Sequence, residues 1–338
     1  MLTSLVGSYP QPEWLLDREK LRSRLPPRVR ASDFWRIDPQ YLEEAQDAAT
    51  LAAIRDQERA GLDIITDGEI RRESYSNRVV TALDGVDVDN PGTTLDRNGN
   101  PSPVPRIVGP VTRRAPILTR DAEFLRANTE HVVKVTIPGP FTMSMQAQDD
   151  HYGDPRAVAA AFADVVRAEV LDLFAAGADV VQLDEPWMES RAEQAQEFGV
   201  ETLERALEGV RGTTALHICF GYPLFVPGHA RQYRFLAELA AAPVDQISIE
   251  TAQAQLDLEV LGQLGGKTII LGVIALDSDE IESAETVAER LRRALPYTQD
   301  LIAAPDCGMK YLTHEAAFGK LVSLVEGART VSAELARA

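Results

Sequence analysis

Short runs of β-branched and other apolar residues recur along the chain and alternate with longer segments whose apolar residues have helical spacing. Between the runs lie amphipathic segments such as 156–176, in which one apolar face is formed by Val158, Phe162, Val165, Val166, Val170, Leu173 and Phe174. Strands are predicted at residues 3–7, 62–67, 132–137, 180–183, 215–219, 246–249, 268–273 and 301–304. Eight such repeats favour a closed (β/α)8 TIM barrel over an open doubly wound sheet.

Two stretches interrupt the alternation. Residues 84–114 contain the turn signals DNPG at 89–92 and NGNP at 98–101, which predict a hairpin inserted into a single barrel domain spanning residues 1–338. The inserted segment is either a surface loop or a lid over one end of the barrel. Residues 14–39 are rich in Arg and Pro and are expected to cover the same end or to form a subunit contact.

Composition excludes several classes of protein. The 338 residues carry a formal charge of −18, which repels phosphate backbones and argues against a nucleic-acid partner. No apolar run approaches the ~20 residues that a membrane span needs, and the N-terminus lacks the features of a signal peptide. We therefore expect a cytoplasmic protein with no membrane partner.

Polar residues gather where the predicted strands end, which is where (β/α) barrels carry their chemistry. The chain has two cysteines, Cys219 and Cys307, and each closes an apolar run. Buried packing, a disulfide and a metal site are the three interpretations of such a pair. His217 and Cys219 are two apart and can point to the same side of strand five, while Glu250 and Cys307 follow strands six and eight. Together the four side chains form a ligand set that suits zinc.

The charge of this ligand set indicates its chemistry. Two thiolates and one carboxylate around Zn²⁺ give a unit that is formally about −1 and a poor Lewis acid towards water. Such a site is better suited to binding an incoming thiol and lowering its pKa, so that the thiol is nucleophilic near neutral pH. We therefore predict alkyl transfer to a thiol.

Six motifs in order along the chain resemble the cobalamin-independent methionine synthase family, specifically its catalytic C-terminal barrel. They are LVGSYPQ at 5–11, DGE at 67–69, QLDEP at 182–186, HIC at 217–219, IET at 249–251 and PDCGMK at 305–310. Any one of them is a weak signal, whereas the ordered set is specific. The resemblance implies a TIM barrel of the methionine synthase and uroporphyrinogen decarboxylase type, in a short, single-barrel member of the family.

The resemblance also implies particular site residues. Zinc would be held by His217, Cys219, Glu250 and Cys307. A thiol amino acid of homocysteine type would bind at Val6, Gly7, Ser8, Glu69 and Asp184. The expected activity is therefore zinc-dependent methylation of the thiol of homocysteine to give methionine, although Glu69 and Asp184 could instead form an ion-pair network that braces the barrel mouth.

Departures from the family pattern concern the methyl donor. Long members carry an N-terminal barrel that helps to hold a folate polyglutamate, and they place a tryptophan for the pterin where this chain has Gln146. The proton-donating histidine after strand seven is replaced by Asp277, so Asp277 or His229 is the expected acid. The donor is left open between a folate and a corrinoid, the latter with a corrinoid or accessory protein as partner.

Three other functions are compatible with parts of the pattern. A zinc-dependent alkyltransferase acting on another thiol or electrophile, of the epoxide:coenzyme M type, would also use the metal site. An enzyme like uroporphyrinogen decarboxylase would need inward arginines, for which Arg71 and Arg72 are the obvious pair. A non-catalytic zinc protein would have a closed site that binds no thiol.

Overall fold

A barrel of eight parallel strands lies at the centre of the structure, a computed structural model that describes residues 1–23, 26–96, 99–222, 232–254, 256–298 and 300–337. In chain order, barrel strands one to eight are Leu2–Thr3, Ile64–Ile65, Val132–Pro138, Val180–Asp184, Thr213–Ile218, Gln246–Glu250, Thr268–Ile274 and Leu301–Pro305. Strand eight pairs with strand one, and a parallel bridge between Ser4 and Ile64 joins strand one to strand two. The prediction of a TIM barrel is confirmed.

Helices surround this barrel and connect most of the strands. The α-helices are Arg18–Ser23, Leu42–Ala60, Asn77–Val80, Thr119–Ala127, Pro140–Met145, Pro155–Ala175, Pro186–Ser190, Ala192–Leu207, Ala284–Ala294 and His314–Leu335. Short 3₁₀ helices occupy Ser32–Phe34, Pro39–Tyr41, Glu238–Ala241 and Leu258–Leu264. After strands five and six, the described part of each connection contains a 3₁₀ helix in place of the expected α-helix.

Local sequence determines where the longer helices begin and end. Asp154 precedes Pro155–Ala175, and its carboxylate accepts a hydrogen bond from the backbone N–H of Arg156. Pro155 fits the first position of that helix, where no N–H donor is needed. Gly61 ends Leu42–Ala60 with φ at +89°, a conformation that glycine adopts at little cost.

Side-chain alternation along the strands separates two apolar layers. One cluster fills the interior of the barrel and consists of Val6, Ile64, Val180, Ala215, Ile270, Ile302 and Ala304. The other cluster contains the outward side chains of the same strands together with the buried faces of the helices. Because packed apolar layers fix the strands on both sides, the polar residues at the carboxyl ends are held in defined positions.

The segment between strands two and three contains a long antiparallel hairpin. Its strands, Asp84–Leu95 and Pro101–Thr112, lie within the segment where an inserted hairpin was predicted. A short strand, Gln148–Asp149, pairs with the second hairpin strand and ties the hairpin to the barrel. Among the described residues, no helix is both long and apolar enough to cross a membrane.

Candidate functional site

A cavity at the carboxyl ends of the strands contains most of the predicted site residues. Its volume is about 940 Å³, including the part that opens to solvent. The residues lining its deep end come from strand ends and the loops after them: Val6, Gly7, Ser8, Glu69, Asp184, His217, Cys219, Cys307 and Gly308. The fold therefore brings together side chains that are up to three hundred residues apart in sequence.

Three buried side chains form a compact group of potential metal ligands. The ligand atoms of His217, Cys219 and Cys307 all lie within 4.8 Å of one another. The two sulfur atoms are 3.7 Å apart, well beyond the length of a disulfide bond, so the disulfide interpretation is wrong for this structure. A hydrogen bond to Cys219, burial and the nearby Glu250 carboxylate raise the pKa of the Cys307 thiol. Two soft sulfurs and an imidazole at this spacing fit a tetrahedral zinc ion.

The orientation of the imidazole is fixed by the neighbouring strand. Nδ1 of His217 is 2.9 Å from Oγ of Ser248, which lies beside it on strand six. This hydrogen bond leaves Nε2 as the nitrogen available to a metal. Metal-binding histidines are commonly held through the second ring nitrogen in this way.

Glu250, the fourth predicted ligand, is buried at the end of strand six but lies outside the compact group of three. Its Oε1 accepts a hydrogen bond from the backbone N–H of Phe220 at 3.1 Å. The backbone N–H of Glu250 donates to the Tyr233 hydroxyl at 3.0 Å. These contacts place the carboxylate beside the chain that follows Cys219, and its role as a ligand stays a prediction.

Two carboxylates, Glu69 and Asp184, line the cavity beside the potential metal ligands. Oε1 of Glu69 accepts a hydrogen bond from the Thr136 hydroxyl at 2.9 Å, and Oδ1 of Asp184 accepts one from Nε2 of Gln182 at 2.8 Å. Burial raises the pKa of Asp184 to about 7. Glu69 has φ at +53°, a conformation that is rare outside glycine and is typical of functional positions.

Two glycines are required by the close packing of this subsite. A Cβ at Gly7 would lie 2.6 Å from Oε1 of Glu69, and a Cβ at Gly308 would lie 2.2 Å from Oγ of Ser8. Larger residues would displace the very side chains that are predicted to hold the substrate. Glycine at these two positions therefore lets the side chains of Glu69 and Ser8 pack directly against the backbone.

The two arginines that a polycarboxylate substrate would need are engaged elsewhere. Arg72 is fully buried and donates to the hydroxyl and the carbonyl oxygen of Thr136 at 3.2 and 2.9 Å. Arg71 forms an ion pair with Asp47 and lies 3.7 Å from Asp121. Neither guanidinium lines the cavity, in contrast to what a site like that of uroporphyrinogen decarboxylase requires.

The outer part of the cavity contains residues that sequence reasoning missed. They come from the hairpin, from three loops and from the helix Pro186–Ser190: Arg28, Tyr75, Thr94, Leu95, Asp96, Ser102, Val104, Trp187 and Tyr222. Gln146, expected in the position of the family tryptophan, also lines this part and donates through Nε2 to the Tyr75 hydroxyl. Trp187 directly follows the QLDEP motif and Tyr222 lies three residues after Cys219, so the rule that identified Asp184 and Cys219 could have identified them as well.

Of the two predicted acids, Asp277 and His229, the structure describes only Asp277. Asp277 is exposed on the loop after strand seven and is not among the residues that line the cavity. His229 lies outside the described residues.

Comparisons with known proteins decide the family. A family model described as the catalytic domain of the cobalamin-independent synthase matches residues 1–330. The chain belongs to the cobalamin-independent methionine synthase family. This family is one of methyltransferases, and neither the epoxide nor the decarboxylase alternative is favoured by any of these matches.

Relatives and solved structures in the family match nearly the whole chain. The methionine synthase of Saccharolobus solfataricus is 30% identical over 344 residues, which cover 99% of this chain and 96% of the relative. The methionine synthase of Sulfolobus acidocaldarius is also 30% identical, with 98% and 93% covered. A solved B12-independent methionine synthase from Shewanella sp. W3-18-1, in complex with selenomethionine, has a TM-score of 0.90 at 33% identity and covers 99% of both chains. A putative vitamin-B12 independent methionine synthase from Listeria monocytogenes, at 21% identity and a TM-score of 0.74, supports the fold alone.

Proposed function

We propose that this chain is a zinc-dependent methyltransferase that methylates the thiol of homocysteine to give methionine. The observation that carries the proposal is one cavity in which His217, Cys219 and Cys307 lie beside the carboxylates Glu69 and Asp184. A metal site for a thiol and an anionic site for an ammonium group are the two features that homocysteine needs. The Shewanella relative was solved with selenomethionine, whose amino-acid part is that of the product.

The carboxylates would bind the amino-acid end of the substrate. Glu69 and Asp184 keep oxygen atoms directed at the cavity, and an α-ammonium group placed between them would gain charge-assisted hydrogen bonds in a site shielded from water. Backbone groups of Val6, Gly7 and Ser8 would take the α-carboxylate. In this pose the thiol would reach the cysteines, because all these residues line the same cavity.

The donor set fits a zinc ion, with Glu250 proposed as the fourth ligand. Zinc would lower the pKa of the incoming thiol and keep it nucleophilic near neutral pH. Ser248 would hold the imidazole of His217 in the orientation for binding, and the surrounding apolar residues would limit access of water. The hydrogen bond between the two cysteine sulfurs marks the position in which both could bind one ion.

The methyl donor is proposed to be a folate, because the family description and the relatives name a cobalamin-independent reaction. Those descriptions give no support to a corrinoid protein as a partner. Tyr75 and Trp187, which line the outer part of the cavity, offer flat apolar surfaces for a pterin in the absence of the family tryptophan. Asp277 stays the proposed acid for the leaving group because it stands where the family has its proton-donating histidine, although its side chain is exposed outside the cavity in this structure.

The test is a methyl-transfer assay on the zinc-loaded protein. Homocysteine would be supplied with either a methylated folate or methylcobalamin, and methionine would be measured by mass spectrometry, with coenzyme M as the alternative thiol. We expect methionine from homocysteine and no methylated coenzyme M. Methylation of coenzyme M alone would contradict the proposed substrate, and methionine formed only from methylcobalamin would contradict the proposed donor.

Two variants distinguish loss of the metal from general damage to the protein. Cys307→Ser should lose stoichiometric zinc and methyl transfer together. His151→Asn changes an exposed histidine outside the cavity and should retain both. Full zinc content in Cys307→Ser would overturn the assignment of the ligands.

A further inference from the structure

A lysine is buried in the interior of the barrel. Lys134 lies on strand three opposite Val180 of strand four, and only 1% of its surface is exposed. Its Nζ has no hydrogen-bond partner in the part of the chain that the structure describes. Apolar side chains of the interior cluster, including Ile64 and Val180, surround this level of the barrel.

An unpartnered acceptor lies on the adjacent strand. Gln182 faces the same interior, and its Oε1 is buried with no hydrogen-bond partner among the described residues. Gln182 lies on the strand next to Lys134, two residues beyond Val180, with which Lys134 pairs. The two Cα atoms are therefore about 8 Å apart, a distance that a lysine side chain can largely span. The next inward residue of strand three, Thr136, is already bonded to Glu69 and Arg72. Gln182 is therefore the acceptor left for the ammonium group on the neighbouring strand.

Gln182 links this interior position to the substrate subsite. Its Nε2 donates to Oδ1 of Asp184 at 2.8 Å, so one end of the amide holds the carboxylate and the other end points away from it. Burial lowers the pKa of Lys134 to about 7, and the negative charge of Asp184 opposes this effect. The ammonium group of Lys134 and the carboxylate of Asp184 are therefore close enough to interact electrostatically.

The energetic cost of this arrangement argues for a role in function. A buried ammonium or amine without a direct partner destabilises the folded state, and an apolar side chain of similar length would fill the space more favourably. Unfavourable groups of this kind are usually retained at positions that serve a site.

We propose that Lys134 is a positioning residue for the amino-acid subsite, acting on Asp184 through Gln182, with one water molecule bridging Nζ and the amide Oε1. The bridge fixes the direction of the Gln182 amide, so that Nε2 faces Asp184 and holds Oδ1. The other carboxylate oxygen is then held towards the cavity, where the proposed function places the α-ammonium group. This inference rests on the proposed function and names the residue that orients its ammonium-binding carboxylate.

The test compares two thiols that differ in one group. Homocysteine has the α-ammonium group, and 4-mercaptobutanoate is the same molecule without it. Dissociation constants for both would be measured calorimetrically on zinc-loaded wild type, Lys134→Met, Gln182→Met and the double variant. In Lys134→Met we expect homocysteine to bind about tenfold more weakly and 4-mercaptobutanoate to bind within twofold of wild type. Because Lys134 acts through Gln182, the double variant should lose no more than Gln182→Met alone.

Thermal unfolding provides the second readout. Lys134→Met should raise the melting temperature while it weakens homocysteine binding, a combination that a merely structural lysine would not give. Val180→Ala, at the same level of the barrel, is the packing control and should lower the melting temperature without changing the preference for homocysteine.

The outcomes distinguish the two proposals. If wild type binds both thiols equally well, the proposed ammonium site fails and this inference fails with it. If wild type prefers homocysteine and Lys134→Met keeps that preference unchanged, the inference alone is overturned.

Discussion

Replacing Asp184 with asparagine tests the proposed ammonium site most sharply. Asparagine keeps the shape of the side chain and an oxygen that can accept from Gln182, but it removes the negative charge and replaces the second carboxylate oxygen with an NH2 donor. Asp184 is 7% exposed, so a substrate ammonium bound to it would be largely shielded from water. The change should therefore be seen in recognition of the amino group, with little effect on the fold.

The expected magnitude follows from the type of bond that is lost. A hydrogen bond to a charged group contributes about 1.5–3 kcal/mol, and about 1.4 kcal/mol corresponds to a tenfold change in affinity. Asp184→Asn should therefore weaken homocysteine about 10- to 150-fold. 4-Mercaptobutanoate, which has the same thiol and carboxylate, should bind within about twofold of wild type.

Isothermal titration calorimetry on zinc-loaded protein measures both affinities. Asp164→Asn is the matched control, because it removes an aspartate charge from an exposed ion pair with Arg205. Equal weakening of both thiols in Asp184→Asn would refute an ammonium site and would indicate damage to the whole cavity. An unchanged affinity for homocysteine would remove Asp184 from the substrate site.

Two further predictions concern other parts of the molecule. In Gly7→Ala the new Cβ would lie 2.6 Å from Oε1 of Glu69 and would displace that side chain. We therefore expect homocysteine to bind about three- to tenfold more weakly. The zinc content, measured by atomic absorption, should stay unchanged. The second prediction concerns Glu282, whose carboxylate accepts a hydrogen bond from Nζ of the buried Lys320 at 2.7 Å. Burial alone would raise the pKa of Glu282. The hydrogen bonds from Lys320, Ala275 and Arg290 outweigh burial, so the pKa is lowered. A lowered folded-state pKa stabilises the fold above the ordinary value of 4.5, and this effect is lost as the pH falls through the folded-state pKa, so Glu282→Gln should destabilise the protein more at pH 7 than near pH 3 in urea unfolding. If the difference in unfolding free energy between wild type and Glu282→Gln were the same at pH 7 and pH 3, the lowered pKa of Glu282 would be contradicted.

The barrel was predictable because each strand contains a short run rich in β-branched and other apolar residues, and most of these runs are followed by a polar motif. Residues such as Val135 and Ile137 carry their own strand signal, and the order of the runs then leaves few topologies. The convergence of His217, Cys219 and Cys307 followed from the same reasoning, because carboxyl ends of barrel strands meet at one face.

Other parts of the site could not be predicted, because they are formed by tertiary packing that the local sequence does not indicate. The hairpin contributes Leu95 and Ser102 to the cavity, although nothing in their sequence indicates which surface the hairpin covers. The proton donor was expected at Asp277 from its place in the chain after strand seven, but the loop directs that residue to solvent. Lys134 reads as an ordinary polar interruption of a strand until the structure shows that it faces the barrel interior.

The central claim is that a metal held by His217, Cys219 and Cys307 binds the thiol of homocysteine. Its most direct test is the near-ultraviolet and visible absorption spectrum of the Co²⁺-substituted protein during titration with homocysteine. We predict one metal per chain, a sulfur-to-cobalt charge-transfer band from the cysteines, and an increase in that band that saturates at one homocysteine per chain. A spectrum that homocysteine leaves unchanged would contradict the account.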